Sequence, residues 1–131
     1  METGGVPPAV DVATVDELER SVGSDREFLR ELVETYLDDA PAQVAAIRQG
    51  QASGDIQLAR RGAHTLKSNS ASMGAHALSE MCRELESIAA EALERGAALD
   101  PGDVRDRVAT IEHELDRVAT ELNARVPAGI T

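Results

Sequence analysis

Aromatic residues are almost missing from this 131-residue chain, which has no Trp, one Phe (Phe28) and one Tyr (Tyr36). A core must then come from Leu, Val, Ile, Met and Ala, a palette that favours helices packed on helices over a sheet. Cysteine is nearly absent too. Cys82 stands alone, so no internal disulfide can form, and its place inside an apolar helical pattern fits a reducing compartment and a packing role. Cations are scarce: 13 Lys and Arg face 24 Asp and Glu, for a formal net charge of -11. Such a field repels phosphate backbones and anionic lipid, so neither nucleic acid nor a membrane surface is an expected partner. No run of about eighteen apolar residues occurs, and Met1-Glu2-Thr3 opens without a basic or apolar signal, so a cytoplasmic location is expected.

The length allows one domain with a single core. Residues 1–13, with Gly4, Gly5, Pro7 and Pro8, have few apolar anchors and read as a flexible leader, and residues 127–131 read as a flexible tail. Between them, 14–126 carry the periodicity of a bundle. Thr14 with Glu17, and Ser24 with Glu27, form capping-box patterns that predict a short helix near 15–22 followed by a long one. The long helix runs from Asp25 through Phe28, Leu29, Leu32, Val33, Tyr36, Leu37, Ala40, Val44 and Ile47 to Gly50, with a kink or a break at Pro41.

Gly54 and Asp55 mark a turn and an N-cap, after which Ile56, Ala59, Ala63, Leu66, Ser70 and Met73 predict a helix near 56–72. Beyond Gly74, another amphipathic helix passes through Leu78, Met81, Cys82, Leu85, Ile88, Ala89, Ala92 and Leu93 to Gly96. Asp100-Pro101 starts the last, whose seam is Val104, Val108, Ile111, Leu115, Val118 and Leu122. Nothing calls for a strand. The expected fold is all-α, an antiparallel four-helix bundle with one or two short additional helices.

On the 56–72 helix, at about 100° per residue, Ala59, Ala63, Leu66 and Ser70 share one direction, and His64 points roughly 140° away from it. The imidazole should face solvent. Arg60, Arg61 and Lys67 flank it, a local positive patch in an acidic protein, and the small Ser68 and Ala71 leave it uncrowded. His76 and His113 read as solvated surface residues. His113-Glu114 begins like a zinc-protease motif, but Arg117 stands where its second histidine is needed. His64, His76 and Cys82 have spacings that fit no compact ligand set, so no metal site is expected. A glycine-rich phosphate loop is absent, and no Ser-His-Asp arrangement is suggested.

The run Ala63-His64-Thr65-Leu66-Lys67-Ser68-Asn69-Ser70-Ala71-Ser72-Met73-Gly74-Ala75 resembles the signature of histidine-containing phosphotransfer domains, with Ser68 where that family usually has Gly. Similarity extends to Leu78 and Cys82-Arg83-Glu84-Leu85-Glu86, and upstream to Phe28-Leu29, Tyr36-Leu37 and Gly54-Asp55. The resemblance implies a phosphorelay carrier without autokinase activity. His64 would take a phosphoryl group from the aspartate of one receiver domain, through Nε2, and pass it to another, with Lys67 offsetting phosphate charge. It also implies receiver domains of response regulators or of a hybrid histidine kinase as partners, no cofactor of its own, and a divalent metal held by the receiver. A monomer is expected. Arg60, Ser68 and Ala71 are the expected docking residues; Val33 and Tyr36 are weaker candidates, more readily read as core. A helical adaptor without chemistry, or the phosphoacceptor module of a chemotaxis-type kinase, are the alternatives.

Overall fold

The computed structural model describes residues 6–127. Within them lie five helices: α1 (Val12–Ser21), α2 (Arg26–Ser53), α3 (Ile56–Ser72), α4 (His76–Arg95) and α5 (Pro101–Arg125). No strand occurs among the described residues. The four long helices pack in a ring, α2 on α3, α3 on α4, α4 on α5 and α5 back on α2, joined by short turns as antiparallel neighbours. α1 closes one end. Its Glu19 pairs with Arg26 at the start of α2, its Asp16 with Arg125 at the end of α5, and the Asp11 N–H donates to Gly74 O at the α3–α4 turn (2.8 Å).

Helix starts follow the capping chemistry, but not at every predicted residue. Asp25, not Ser24, caps α2, accepting from Phe28 N–H (3.1 Å). The reason is local: Gly23 (φ 71°) and Ser24 (φ 60°) make a left-handed turn, and an N-cap needs extended backbone. At α1 the cap is Asp11, three residues before Thr14, and the helix covers 12–21. The predicted leader is therefore corrected over residues 9–13. Ala9 and Val10 are buried, and the Glu121 carboxylate accepts both of their N–H groups at 2.9 Å, an anchor that composition does not reveal. Residues 1–5 of the predicted leader and 128–131 of the predicted tail lie outside the described residues.

α2 is one continuous helix through Pro41, which is exposed, so the chain does not break there. It also runs past Gly50 to a left-handed cap at Gly54 (φ 80°). Gly50 is needed for approach instead: a Cβ there would lie 2.6 Å from Asp55 O and Ala59 N. Gly62 repeats this on α3, where a Cβ would lie 2.9 Å from Gln43 O of α2. These two glycines let the α3 backbone seat directly on α2.

Leu29, Val33, Ile47, Leu66, Leu78, Leu85, Val108, Ile111 and Leu122 fill the core. The predicted seam of α5 needs one correction. Leu115 is only partly buried, at the open groove between α2 and α5 beside Pro41 and Val44, while Glu114 is buried at 5% exposure. Arg117 covers it, donating to Oε1 (2.8 Å).

Candidate functional site

Because Ala59, Ala63, Leu66 and Ser70 all face the core, the opposite stripe of α3 must face outward. His64 stands on it with its side chain 58% exposed. The imidazole is nevertheless held. Its Nδ1 lies 2.7 Å from Glu86 Oε2 of α4, and the other carboxylate oxygen, Oε1, lies 2.7 Å from Lys67 Nζ. An ionised carboxylate only accepts, so Nδ1 is the donor in this contact, and in the neutral ring Nε2 then carries the free lone pair. Partial burial pushes the Glu86 carboxyl up, but hydrogen bonds from Lys67 and His64 outweigh it and hold its pKa below the usual carboxylate value.

Neither motif nor helical period singles out Glu86 for this role. The signal was available in the register of a helical hairpin: His64 lies eleven residues before Ala75 and Glu86 eleven after it, so an α3–α4 hairpin turning there brings them opposite. Ser79 Oγ, donating to Lys67 O (2.9 Å), ties the same two helices one turn nearer the bend.

Arg60, Arg61, Thr65 and Glu86 line an open cavity of about 270 Å³ with His64. Among the described residues, the Lys and Arg side chains with no carboxylate partner are Arg20, Arg60 and Arg61. Two of these three uncommitted cations thus flank one histidine, and an anion approaching it meets positive charge that no internal carboxylate has to release. Arg60 Nε donates only to Gln57 Oε1 (3.1 Å). Ser68 is exposed one turn from His64, and Ala71 is half-buried at the edge of the stripe.

Val33 and Tyr36 are not on this surface. Both are buried, Tyr36 with its hydroxyl 2.8 Å from Ser70 Oγ and burial pushing its phenol up to about 12. The neighbouring groove between α2 and α3 is lined by Leu32, Thr35, Asp39, Asn69, Ser72 and Met73, with the buried Tyr36 at its floor. His113 is exposed, and His76 is exposed but not isolated, touching Thr14 Oγ1 (3.2 Å) and Asp11 Oδ2 (3.4 Å). Cys82 is fully buried, its thiol pushed up by burial to about 12, far from an accessible nucleophile. No group of three or more His, Cys, Asp or Glu is arranged to hold a metal among the described residues, and no described helix is long and apolar enough to cross a membrane.

The family profile of the Hpt domain matches residues 31–121, more than half of the chain. The crystal structure of histidine-containing phosphotransfer protein B (HptB) from Pseudomonas aeruginosa PAO1 superposes with a TM-score of 0.76, at 22% identity, over 92% of this chain and 96% of that one. No curated protein matches in sequence.

Proposed function

The chain belongs to the Hpt domain family of phosphorelay carriers, and on that premise we propose that His64 is its phosphoacceptor and Lys67 the cation that offsets phosphoryl charge. One observation carries the assignment: the Glu86 carboxylate engages Nδ1 at 2.7 Å, which leaves Nε2 of an exposed imidazole as a free nucleophile.

The step balances without a dedicated base. The Nε2 lone pair forms the N–P bond while the acyl O–P bond of the donor aspartyl phosphate breaks, its electron pair leaving on the carboxylate. The Nδ1 proton stays on the ring, hydrogen-bonded to Glu86, both in attack and in the reverse departure. Phosphoryl transfer passes through a loose transition state whose demands are in-line position and positive charge at the equatorial oxygens. Lys67 supplies such charge, and Arg60 and Arg61 extend it. Any divalent cation in the reaction belongs to the partner's acidic pocket, and the chain has no phosphate-binding loop with which to phosphorylate itself.

The partner is a receiver domain of a response regulator or hybrid kinase, met in the cytoplasm by a monomeric carrier. It docks on the outward stripe of α3, with Arg60, Ser68 and Ala71 in the contact. The test is incubation of the full chain with a receiver domain charged by radiolabelled acetyl phosphate. The parent should take acid-labile label on His64 and His64→Gln none, with an unchanged helical spectrum. A parent that binds the receiver yet takes no label would be an adaptor.

A further inference from the structure

Glu86 serves two partners with one carboxylate, and only one of them can keep it once His64 is phosphorylated. The ring nitrogens point to opposite sides of the imidazole. With Nδ1 turned to Glu86, phosphoryl oxygens on Nε2 lie on the far side of the ring from that carboxylate. Lys67 Nζ, meanwhile, sits 2.7 Å from Glu86 Oε1. An ammonium that turns toward a phosphoryl group on the far side of the ring moves away from the contact it makes in the unphosphorylated protein.

We propose that Glu86 and the phosphoryl group compete for Lys67, and that this competition biases the carrier toward passing its phosphoryl group on to an acceptor aspartate. The inference rests on His64 being the phosphoacceptor. In the unphosphorylated protein the Lys67–Glu86 pair is intact; in the phosphorylated one it is broken or weakened. Its loss raises the free energy of the phosphorylated form alone, and with it the tendency to donate. Glu86 also attracts the positive charge that the phosphorylated ring gains, which acts in the opposite direction. Exposure decides between the two. The Lys67 and Glu86 side chains are only 26% and 16% exposed, whereas the His64 ring is 58% exposed, so solvent screens the ring charge more than the ion pair.

The bias acts against every aspartyl phosphate alike: it favours donation from His64 to whichever receiver is docked and does not by itself set the direction of net flow. Glu86 is a positioning residue here, since it acts through His64 Nδ1 and Lys67 Nζ, on the side of the ring away from Nε2.

Glu86→Gln separates charge from position, because the amide oxygen still accepts from Nδ1–H while no anion remains to hold the ammonium. The measurement is the equilibrium distribution of label between the full-length carrier and the isolated receiver charged with acetyl phosphate, approached from both directions. Relative to the parent, Glu86→Gln should shift label toward His64 by about fivefold to thirtyfold, the range expected of one partly buried charge-assisted contact. In a Lys67→Ala background the same substitution should shift it less than about twofold, the signature of a shared partner. A role confined to structure would slow the approach to equilibrium and leave its endpoint alone. An endpoint that is unchanged, or moved toward the receiver, overturns the proposal. Label absent from His64 in the parent is a separate failure, that of the phosphoacceptor assignment. A second readout uses the parent alone: on phosphorylation the Glu86 carboxyl carbon should titrate at higher pH as Lys67 leaves it, and an unmoved titration would also overturn the competition.

Discussion

His64 and His76 stand on the same helical hairpin, one in the middle of α3 and the other at the first residue of α4, with side chains 58% and 57% exposed. Each has a carboxylate beside it. For His64 the carboxylate is Glu86, reached through Nδ1; for His76 it is Asp11, reached through Nε2, which Thr14 Oγ1 also contacts at 3.2 Å. The ring nitrogen that a phosphoryl group would take on His64 is thus the one already occupied on His76. Their charge surroundings differ as well. Lys67, Arg60 and Arg61 surround the first, while the second joins the N-cap of α1 to the start of α4. Exposure and a nearby carboxylate do not set the two histidines apart; the engaged nitrogen and the uncommitted cations do.

The largest expected effect tests that distinction directly. His64→Gln should lose all detectable label, whereas His76→Gln should take label from the same receiver within about twofold of the parent. Label that survives the first change and vanishes with the second would exchange the two assignments. Next in size is Lys67→Ala. Losing one cation at a partly water-excluded interface should cost roughly 2–4 kcal/mol of transition-state stabilisation, on the order of tens to a thousandfold in single-turnover rate. Folding should suffer by only about 1 kcal/mol, since the pair with Glu86 is partly exposed. A variant that transfers at the parental rate removes Lys67 from the mechanism, and thermal melts run alongside separate slow chemistry from unfolding.

Much of this arrangement can be read from residue order, and the limits have physical causes. The 56–72 helix follows from Asp55 as cap and from the spacing of Ala59, Ala63, Leu66 and Ser70, which also turns His64 outward; both are properties of a single helix. Glu86 belongs to a pair of helices, and its pairing depends on where the hairpin bends. The seating of α3 through Gly50 and Gly62 is likewise tertiary, for a helical glycine shows its purpose only when a neighbouring backbone lies against it. Residues 9–13 read as part of a loose leader because they follow a Gly- and Pro-rich stretch and because the anchor of Ala9 and Val10, Glu121, lies more than a hundred positions away.

Gly62→Ala asks whether the His64 site depends on that seat while the His76 contact does not. The added methyl meets Gln43 O at 2.9 Å, so α3 must shift or strain, at a cost of about 1–3 kcal/mol in a denaturant melt. Transfer should fall by less than for Lys67→Ala, and the resonances of Thr14 and His76 should stay in place. Unchanged stability would mean that α2 and α3 separate more easily than their packing implies.

The smallest effects are the titrations of the two carboxylates, and they sharpen the contrast because the causes differ. Asp11 titrates below its ordinary value, first through the hydrogen bond from Thr14, against a raising contribution from burial, with Ala13 N–H and His76 lowering it further. At Glu86 burial is the largest influence and raises the pKa, and Lys67, then His64, bring it below the usual value. A carboxylate depressed in the folded state contributes stability that is fully present above its unfolded pKa and fades as pH falls through the folded one, so both contacts should weaken only in acid. Side-chain carboxyl shifts followed by NMR should place Asp11 higher in Thr14→Val than in His76→Ala. Lys67→Ala should likewise raise Glu86 and leave Asp11 alone. Were Asp11 to respond to Lys67, or Glu86 to Thr14, the two histidine sites would be one coupled network, and their separate roles would have to be reconsidered.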